Sequence, residues 1–600
     1  MSKELPKRSE IPVAYTWDLT PIYADDAAWE NAVQALAARL PEVARFQGRL
    51  GEGPEILAEW LALQAEIERE MGRIVVYAHC QHSVDTRDQA ATARYHRAGG
   101  LYARVAAALS FVEPELLALG VDTLKTWVEQ EPALSLYAHY IDTLARKADH
   151  VRSPEVEELL GLLSDPFRSA TSTHKVLAEA DLEFRPARAS DSEEPIPVAQ
   201  GTIYALMSHE DRMARRTAWE SYADAHLAHR HSMANAMATG VKQDVLLART
   251  RRYDSSLAWA LGENHIPTAV YHQVIDTYRA NLPIWHRYWR VRRKALGHPL
   301  AVYDDKAPLS KASPEIPFAQ AAEWICEGMM PLGQEYVDIM RRGLLQERWV
   351  DVLPNRNKAA GAFSTGSPGT PPLVLMSYSD DIGSLSTLAH ELGHSMHSYY
   401  AWRAQPQVYA DYGIFMAEVA SNLNQALVRE YLFRTQPDPH FQLALLDEAM
   451  ANFYRYFFLM PTLARFELAI HEQVENDDAL TAEGMMALML DLFREAYGGE
   501  VELDEERVGI TWAEFHTHLY YHFYVYQYTT GIAAAQALAE RMLKKESGAV
   551  EAYTRFLETG SSAYPLDALR ATGIDMTSAE PIQQAFDYMA GLVDRLESLV

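Results

Sequence analysis

The sequence places His390 and His394 four positions apart, and Glu391 directly follows the first histidine. These residue types at this spacing suggest a catalytic metal site. Residues i and i+4 lie on one face of an α-helix, about one turn apart, so both imidazole rings can bind one metal ion. Glu391 lies about 100° round the helix axis from His390, where it can reach a metal-bound water without binding the metal. This pattern is typical of zinc-dependent hydrolysis of peptide bonds.

The residues around the motif predict a helix. The stretch from about residue 385 to residue 402 contains no proline, and its only glycine lies inside the motif. Its apolar residues recur at helical spacing, which predicts one buried stripe. The stripe consists of Leu385, Leu388, Ala389, Leu392 and Met396. The alternative interpretation is a core helix with two buried, hydrogen-bonded histidines.

A hydrolytic zinc site needs a third protein ligand and an open position for water. His397 continues the same helix face, but it lies about 10 Å along the axis from His390, so one straight helix cannot direct all three rings at one ion. Glu418, in a second predicted helix, is the better candidate. Its sequence neighbours are small and apolar, and a carboxylate in such a setting needs a partner, which a cation would supply. Alternatively, Glu418 pairs with an arginine or caps a helix.

With Glu418 in the segment Glu-Val-Ala-Ser, the motif resembles the thimet oligopeptidase family of zinc peptidases, and most closely its bacterial oligopeptidase F branch. Other segments along nearly the whole chain are similar to that family as well. They are residues 15–19, Tyr303-Asp304, residues 358–364, residues 523–528 and the tail from Leu566 to Glu597. The resemblance implies one Zn²⁺ per chain, held by His390, His394 and Glu418, with Glu391 as the general base.

The segment from His516 to Tyr528 is rich in histidine and tyrosine. Tyrosine clusters are usually core residues with hydrated hydroxyls, but a tyrosine hydroxyl can also stabilise the oxyanion that hydrolysis creates. If the segment is helical, one face carries His518, Tyr521 and Tyr526. The resemblance implies that His518 and Tyr526, and with them Tyr521, bind the substrate and the oxyanion.

The sequence departs from the family pattern at two places. Gln425 stands where the family usually has a second glutamate, which affects the hydrogen bonds around the zinc ligands. The tyrosine-rich segment lacks the glycines of the thimet-type relatives, so the loop mobility of those relatives does not carry over.

A stretch rich in glycine and proline, residues 355–379, precedes the motif helix. Residues 362–364 and 373–378 predict two strands around a turn. An edge strand beside the metal can bind an extended peptide by strand addition, which makes Gly361, Ala362 and Phe363 candidate substrate-binding residues. The alternative is a small hairpin that caps a helical core.

The composition limits the possible partners. The chain has 600 residues, 48% of them hydrophobic, and a net charge of −28. This charge argues against nucleic acids and anionic membranes as partners. Cys80 and Cys326 form no ligand pattern, which predicts a reducing compartment. No signal peptide and no membrane-spanning run is evident, so we expect a cytoplasmic protein.

Helix-forming patterns dominate the chain and predict a mostly α fold. The prolines between residues 182 and 198 predict a hairpin or loop and a boundary between lobes. We therefore expect an N-terminal helical lobe, residues 1–198, and a catalytic helical domain, residues 199–600, with a small sheet beside the zinc helix. The resemblance implies two lobes that enclose a deep substrate channel.

These features predict a zinc metalloendopeptidase that hydrolyses internal bonds of short unstructured peptides. A metallocarboxypeptidase or dipeptidyl carboxypeptidase also fits the motif. An inactive peptide-binding protein and a structural zinc protein are the further alternatives; the intact Glu391 argues against the first, and the set of only three good ligands argues against the second.

Overall fold

A computed structural model describes residues 5–310 and 314–600. Most of them are α-helical, which confirms the predicted fold class. The chain forms two compact units. The first runs up to Asp149 and includes Glu315–Leu432 and Leu538–Gly573; the second comprises His150–Pro314, Phe433–Ala537 and Ile574–Val600. The expected division at residue 198 stays a prediction.

Helices of the first unit surround a small three-stranded sheet. They are α1 (Asp26–Ala44), α2 (Pro54–Val84), α3 (Gln89–Leu109), α4 (Val112–Leu119), α5 (Val121–Gln130), α6 (Ala138–Lys147), α14 (Phe318–Gly328), α15 (Gln334–Leu345), α16 (Ile382–Ala404), α25 (Ala549–Thr559) and α26 (Pro565–Arg570). Two helices contribute residues to both units, α17 (Ile414–Thr435) and α24 (Tyr526–Leu543).

The second unit is also built mainly of helices. They are α7 (Pro154–Val176), α8 (Ile203–Met207), α9 (Arg212–Ala228), α10 (Arg230–Thr250), α11 (Ser256–Gly262), α12 (Thr268–Ala280), α13 (Leu282–Leu296), α18 (Pro439–Phe453), α19 (Met460–Glu475), α20 (Ala482–Tyr497), α21 (Glu505–Gly509), α22 (Thr511–Glu514), α23 (His516–Leu519) and α27 (Glu580–Leu599). A parallel pair of short strands, β1 (Leu300–Ala301) and β5 (Val501–Glu502), belongs to this unit.

The sheet of the first unit has the strand order β2-β4-β3. β3 (Phe363–Thr365) and β4 (Leu373–Leu375) form the predicted antiparallel pair, with Ser364 opposite Val374. β2 (Val350–Asp351), which the sequence analysis did not predict, pairs with β4 in parallel. β4 is buried, and β3 is an edge strand that packs beside α16. The predicted sheet beside the motif helix is therefore confirmed.

The motif helix α16 begins where its sequence provides a cap. The carboxylate of Asp381 accepts a hydrogen bond from the Ser384 backbone N–H at 2.7 Å, which satisfies one of the free donors of the first turn. All five residues of the predicted apolar stripe are buried. Their burial fixes the rotation of the helix and therefore the direction of the two histidines.

Irregular segments also lie where the sequence predicts them. A single antiparallel bridge between Ala187 and Ile196 forms the hairpin expected within residues 182–198. Within residues 5–310 and 314–600, no helix combines the length and the apolar composition needed to cross a bilayer. Cys80 and Cys326 are buried free thiols.

A buried ionic cluster ties the sheet to the rest of the first unit. The carboxylate of Asp351, on β2, is fully buried and pairs with Lys358 at 2.7 Å and with Arg8 at 2.5 Å. Lys358 also donates a hydrogen bond to the Leu353 carbonyl at 2.8 Å. These contacts hold the N-terminal segment and the chain leading to β3 against the same strand.

Asp351→Ala should destabilise the protein by about 3–5 kcal/mol, because two cations lose their buried partner. The control is Glu52→Ala, which removes a fully exposed ion pair with Arg49 and should destabilise the protein far less. Thermal and urea unfolding of both variants would measure the difference. Equal unfolding midpoints for the two variants would contradict the anchoring role of Asp351.

Candidate metal centre

Three predicted ligands lie together in the first unit. His390 Nε2 is 3.6 Å from Glu418 Oε2, and His394 Nε2 is 4.0 Å from Glu418 Oε1. All three ligand atoms lie within 4.8 Å of one another. Two atoms bound tetrahedrally to one ion at about 2.1 Å are roughly 3.4 Å apart, so small side-chain rotations bring this set to ligand distance.

A close contact between two helices places Glu418 opposite the histidines. Gly393 of α16 faces α17, and a Cβ atom at this position would lie 2.5 Å from both the Ala420 carbonyl oxygen and the Ser421 Cα atom. Only glycine permits this approach without moving the backbone. The glycine within the motif thus has a structural reason: it sets the spacing between the helix with the two histidines and the helix with the glutamate.

Hydrogen bonds hold each candidate ligand from behind. His390 Nδ1 lies 3.0 Å from Gln425 Oε1, and the Gln425 amide nitrogen donates to Ser386 Oγ at 2.8 Å. The backbone of Ala417 hydrogen-bonds the ring of His394. Because an amide oxygen can only accept, the Gln425 contact requires the Nδ1 tautomer of His390 and leaves Nε2 free to bind a metal.

The carboxylate of Glu418 is held by two residues that follow it on α17. Ser421 Oγ lies 3.1 Å and Asn422 Nδ2 lies 3.3 Å from Glu418 Oε2. Spacings of three and four residues place both donors on the same helix face as the glutamate. They orient the carboxylate toward the histidines.

The chemistry of this donor set fits a divalent metal ion. Burial lowers the pKa of His394 to about 4, and repulsion by His390 adds to the effect, so His394 is neutral at pH 7. A neutral imidazole is the form that binds metals. Two imidazoles and one carboxylate leave a further coordination position open, as catalytic metal sites require.

Glu391 lies next to these ligands without being one of them. Its side chain is buried, and its Oε2 atom has no hydrogen-bond partner among the described residues. Burial raises the pKa of Glu391, nearby Glu418 raises it further, and a backbone hydrogen bond from Ser364 lowers it. A raised pKa makes the Glu391 carboxylate a stronger base than that of an exposed glutamate.

His397 does not belong to the ligand cluster. Its ring is fully buried and stacks on Tyr412 with ring centroids 3.7 Å apart. Burial lowers the pKa of His397 to about 3, so the ring is neutral. Its position agrees with the argument that one straight helix cannot direct three histidines at one ion.

The predicted substrate-binding residues lie at the start of the edge strand. Gly361 has φ of 85°, a left-handed conformation that favours glycine, and it is exposed. Ala362 and Phe363 are half-buried, and Phe363 opens β3. Ser364, the next residue, contacts α16 through a 2.9 Å hydrogen bond between its hydroxyl and that of Ser395. The strand is therefore fixed to the helix that carries the histidines.

The histidine- and tyrosine-rich segment is not one helix, contrary to the assumption behind its predicted face. α23 ends at Leu519, Phe523 has φ of 52°, and α24 begins only at Tyr526. Tyr526 is buried, its ring centroid 5.1 Å from that of Tyr271, whereas Tyr521 is 67% exposed. The buried Glu467 explains the break.

Glu467 accepts a hydrogen bond at 2.5 Å from the Phe523 backbone N–H and so stabilises the left-handed turn. His518 is half-buried, with its ring centroid 6.3 Å from that of Tyr528. His518, Tyr521 and Tyr526 all belong to the second unit, and their catalytic roles stay predictions.

Two histidines and a glutamate at these distances, with a second glutamate beside them, form the arrangement expected of a metallopeptidase. The chain matches the model of Peptidase family M3 over residues 205–588 and that of Oligopeptidase F over residues 115–184. The chain belongs to peptidase family M3, and it is an enzyme, a peptidase.

The similarity to known proteins extends over the whole chain. The chain is 35% identical to Oligopeptidase PepF of Bacillus subtilis (strain 168), covering 100% of this chain and 89% of that protein. It is 34% identical to Group B oligopeptidase PepB of Streptococcus agalactiae serotype III (strain NEM316), covering 99% and 98%. The crystal structure of oligoendopeptidase-F from Enterococcus faecium superposes with a TM-score of 0.74 at 30% identity, covering 96% and 99%.

Glu418→Ala should lose most of the bound metal, because one of only three protein ligands is removed. His397→Phe should keep the metal, since His397 packs as an apolar ring outside the cluster. Elemental analysis after gel filtration would measure metal content per chain. The ligand assignment would be wrong if the Glu418 variant kept full metal content or if the His397 variant lost it while folded.

Gly393→Ala should weaken metal binding, because the added methyl group forces α16 and α17 apart. We expect a loss of affinity of roughly 10–100-fold, the range seen when groups that orient ligands are removed. Gly99→Ala is the control, because a Cβ at that helical position in the same unit meets open space. Titration with a competing metal chelator gives both affinities, and equal values would contradict the spacing role of Gly393.

Proposed function

We propose that the protein is a zinc-dependent oligopeptidase that cuts internal bonds of short, unstructured peptides. The observation that carries this proposal is the convergence of His390, His394 and Glu418, with Glu391 beside them and outside the ligand set. Two imidazoles and one carboxylate are a ligand set used by catalytic zinc. We propose one Zn²⁺ per chain.

Bound at these residues, zinc would lower the pKa of a water molecule and polarise the scissile carbonyl group. Glu391 would take the proton of the attacking water on its carboxylate and then donate it to the leaving amine nitrogen. The raised pKa of Glu391 suits both steps, because the group must bind and release a proton in each cycle. Gln425 would keep the His390 ring in one tautomer throughout.

The edge strand supplies the second part of the proposal. An extended peptide would pair with β3 near Gly361, Ala362 and Phe363 through backbone hydrogen bonds. Such pairing requires an unfolded substrate, which favours short flexible peptides. By family resemblance, His518, Tyr526 and Tyr521 would contact the substrate and the oxyanion.

The free thiols Cys80 and Cys326 support a reducing compartment, and we propose the cytoplasm. The net charge of −28 gives no support for nucleic acids as partners.

A peptide of about ten residues with an acetylated N-terminus and an amidated C-terminus tests this function. We expect cleavage at internal bonds, loss of activity with a chelator, and recovery with zinc; mass spectrometry identifies the products. Glu391→Gln should keep the metal and lose about 10²–10⁴-fold in kcat, because the proton acceptor is gone.

A metallocarboxypeptidase would leave the doubly blocked peptide intact and cut only its unblocked form. Normal turnover by a metal-loaded Glu391→Gln variant would contradict the proposed role of Glu391. A peptide cleaved equally well with and without chelator would contradict zinc dependence.

A further inference from the structure

A cavity of about 390 Å³ lies wholly within the second unit, and aromatic side chains form much of its wall. Two cationic side chains line it, Lys306 and Arg455. Lys306 Nζ lies 4.0 Å from the centroid of the Tyr204 ring, and Arg455 Cζ lies 5.7 Å from it. Arg455 also donates a hydrogen bond to the Tyr204 hydroxyl at 3.1 Å. Two basic side chains therefore contact one tyrosine ring of the cavity, and burial, with repulsion by Arg455, lowers the pKa of Lys306 to about 7.

Among the described residues, no carboxylate forms an ion pair with either cation. Asp305 lines the cavity, but its Oδ2 atom accepts hydrogen bonds from Tyr454 at 2.7 Å and Tyr497 at 2.5 Å. Burial raises the pKa of Asp305 to about 7, so its charge is incomplete.

Two glutamates also line the cavity, and neither forms an ion pair with Lys306 or Arg455. Burial raises the pKa of Glu514 to about 8, so this carboxyl group is mainly neutral at pH 7. Glu179 lies 3.9 Å from His516 Nε2. Half-buried cations normally have a partner. Among the described residues Lys306 and Arg455 form no ion pair, and the nearby Asp305 acts on Lys306 only at longer range, where it raises its pKa.

The backbone holds both cations in place. Arg292 donates hydrogen bonds to the carbonyl oxygens of Asp304, at 3.2 Å, and Ala307, which fixes the loop that carries Lys306. Arg455 lies in a π-helical turn, Tyr454–Leu459. Such turns are rare and occur frequently at functional sites. The two charges are therefore pre-positioned, so binding an anion needs little rearrangement.

His518 lines the same cavity. Burial lowers the pKa of His518 to about 4, and repulsion by Arg455 adds to the effect. The ring is therefore neutral and offers a hydrogen bond rather than a third positive charge. His518, to which the family resemblance gives a role in substrate binding, therefore lines the same cavity as Lys306 and Arg455.

We infer that this cavity binds a carboxylate group of the peptide substrate through Lys306 and Arg455. A guanidinium group matches the two oxygens of a carboxylate, and an ammonium group adds a point charge. The aromatic wall suits the apolar part of the residue that carries the carboxylate. The carboxylate comes either from the free C-terminus or from an Asp or Glu side chain. The identity of the ligand as a peptide rests on the proposed function.

The test uses one quenched fluorescent peptide in four forms. Its C-terminus is a free acid or an amide, and a residue near that end is Glu or Gln. The wild-type enzyme should cleave forms with a carboxylate better than the amide–Gln form. Lys306→Met and Arg455→Gln should each reduce this preference about 10–100-fold, the usual cost of a lost charge-assisted hydrogen bond.

Arg216→Gln is the matched control, because it removes a positive charge of the same unit from an exposed ion pair with Glu220. It should leave the preference unchanged, which separates a local site from an effect of net charge. Thermal unfolding checks the folding of each variant, and either cation alone is sufficient for the test if the other variant is unstable.

The two sources of the carboxylate give different results. A C-terminal site discriminates acid from amide and ignores Glu against Gln; a side-chain site does the reverse. Equal cleavage of all four forms by the wild-type enzyme, or a preference that survives in both variants, would overturn the inference.

Fluorescence anisotropy of the same peptides, with the quencher omitted, measures binding without turnover. Failure of cleavage with intact carboxylate-dependent binding would contradict the proposed function alone. Equal binding of all four forms would contradict the carboxylate site alone.

Discussion

The metal centre depends on the close approach of two buried helices at Gly393. The backbone of α17 lies so near this residue that a single methyl group would collide with Ala420 and Ser421. This contact determines whether Glu418 lies within reach of an ion that His390 and His394 would hold. The cap at Asp381 and the buried apolar stripe fix the position of α16, and Asp351 ties the adjoining sheet to the same unit. The chemistry of the site therefore follows from packing, because every candidate ligand lies on a buried helix.

Burial also sets the charges of the site. His394 is kept neutral, and Glu391 is kept ready to accept a proton. Gln425 occupies a position where the family usually has a glutamate, and it still satisfies His390 through its amide oxygen. An amide carries no negative charge. Glu418 and Glu391 therefore supply the carboxylates described beside the two histidines. In the second unit burial acts on a basic side chain. It lowers the pKa of Lys306 to about 7, and repulsion by Arg455 adds to the effect. An anion bound in that cavity would raise this pKa again.

Local sequence signals predict the motif helix, the helix of Glu418 and the β3–β4 hairpin, because each depends on residues close together in the chain. Helix geometry argues against His397 as the third ligand, and the small, apolar neighbours of Glu418 favour that glutamate. Strand β2 was not predicted, because two residues are too few to show the alternation that indicates a strand. The segment from His516 to Tyr528 would form one face only if it were helical, and the left-handed turn at Phe523 that Glu467 stabilises has no signal in the local sequence. Lys306 and Arg455 meet only through tertiary folding, so no spacing rule could have paired them.

Anomalous X-ray diffraction from crystals of the purified protein, collected on both sides of the zinc absorption edge, would locate a bound zinc ion directly. We expect one anomalous peak per chain that disappears below the edge. The peak should lie at about 2.0–2.2 Å from His390 Nε2, His394 Nε2 and a Glu418 carboxylate oxygen, with Glu391 outside bonding distance. A peak bound by His397, a peak with Glu391 as a ligand, or full occupancy by zinc at a different place in the chain would contradict the proposed metal centre.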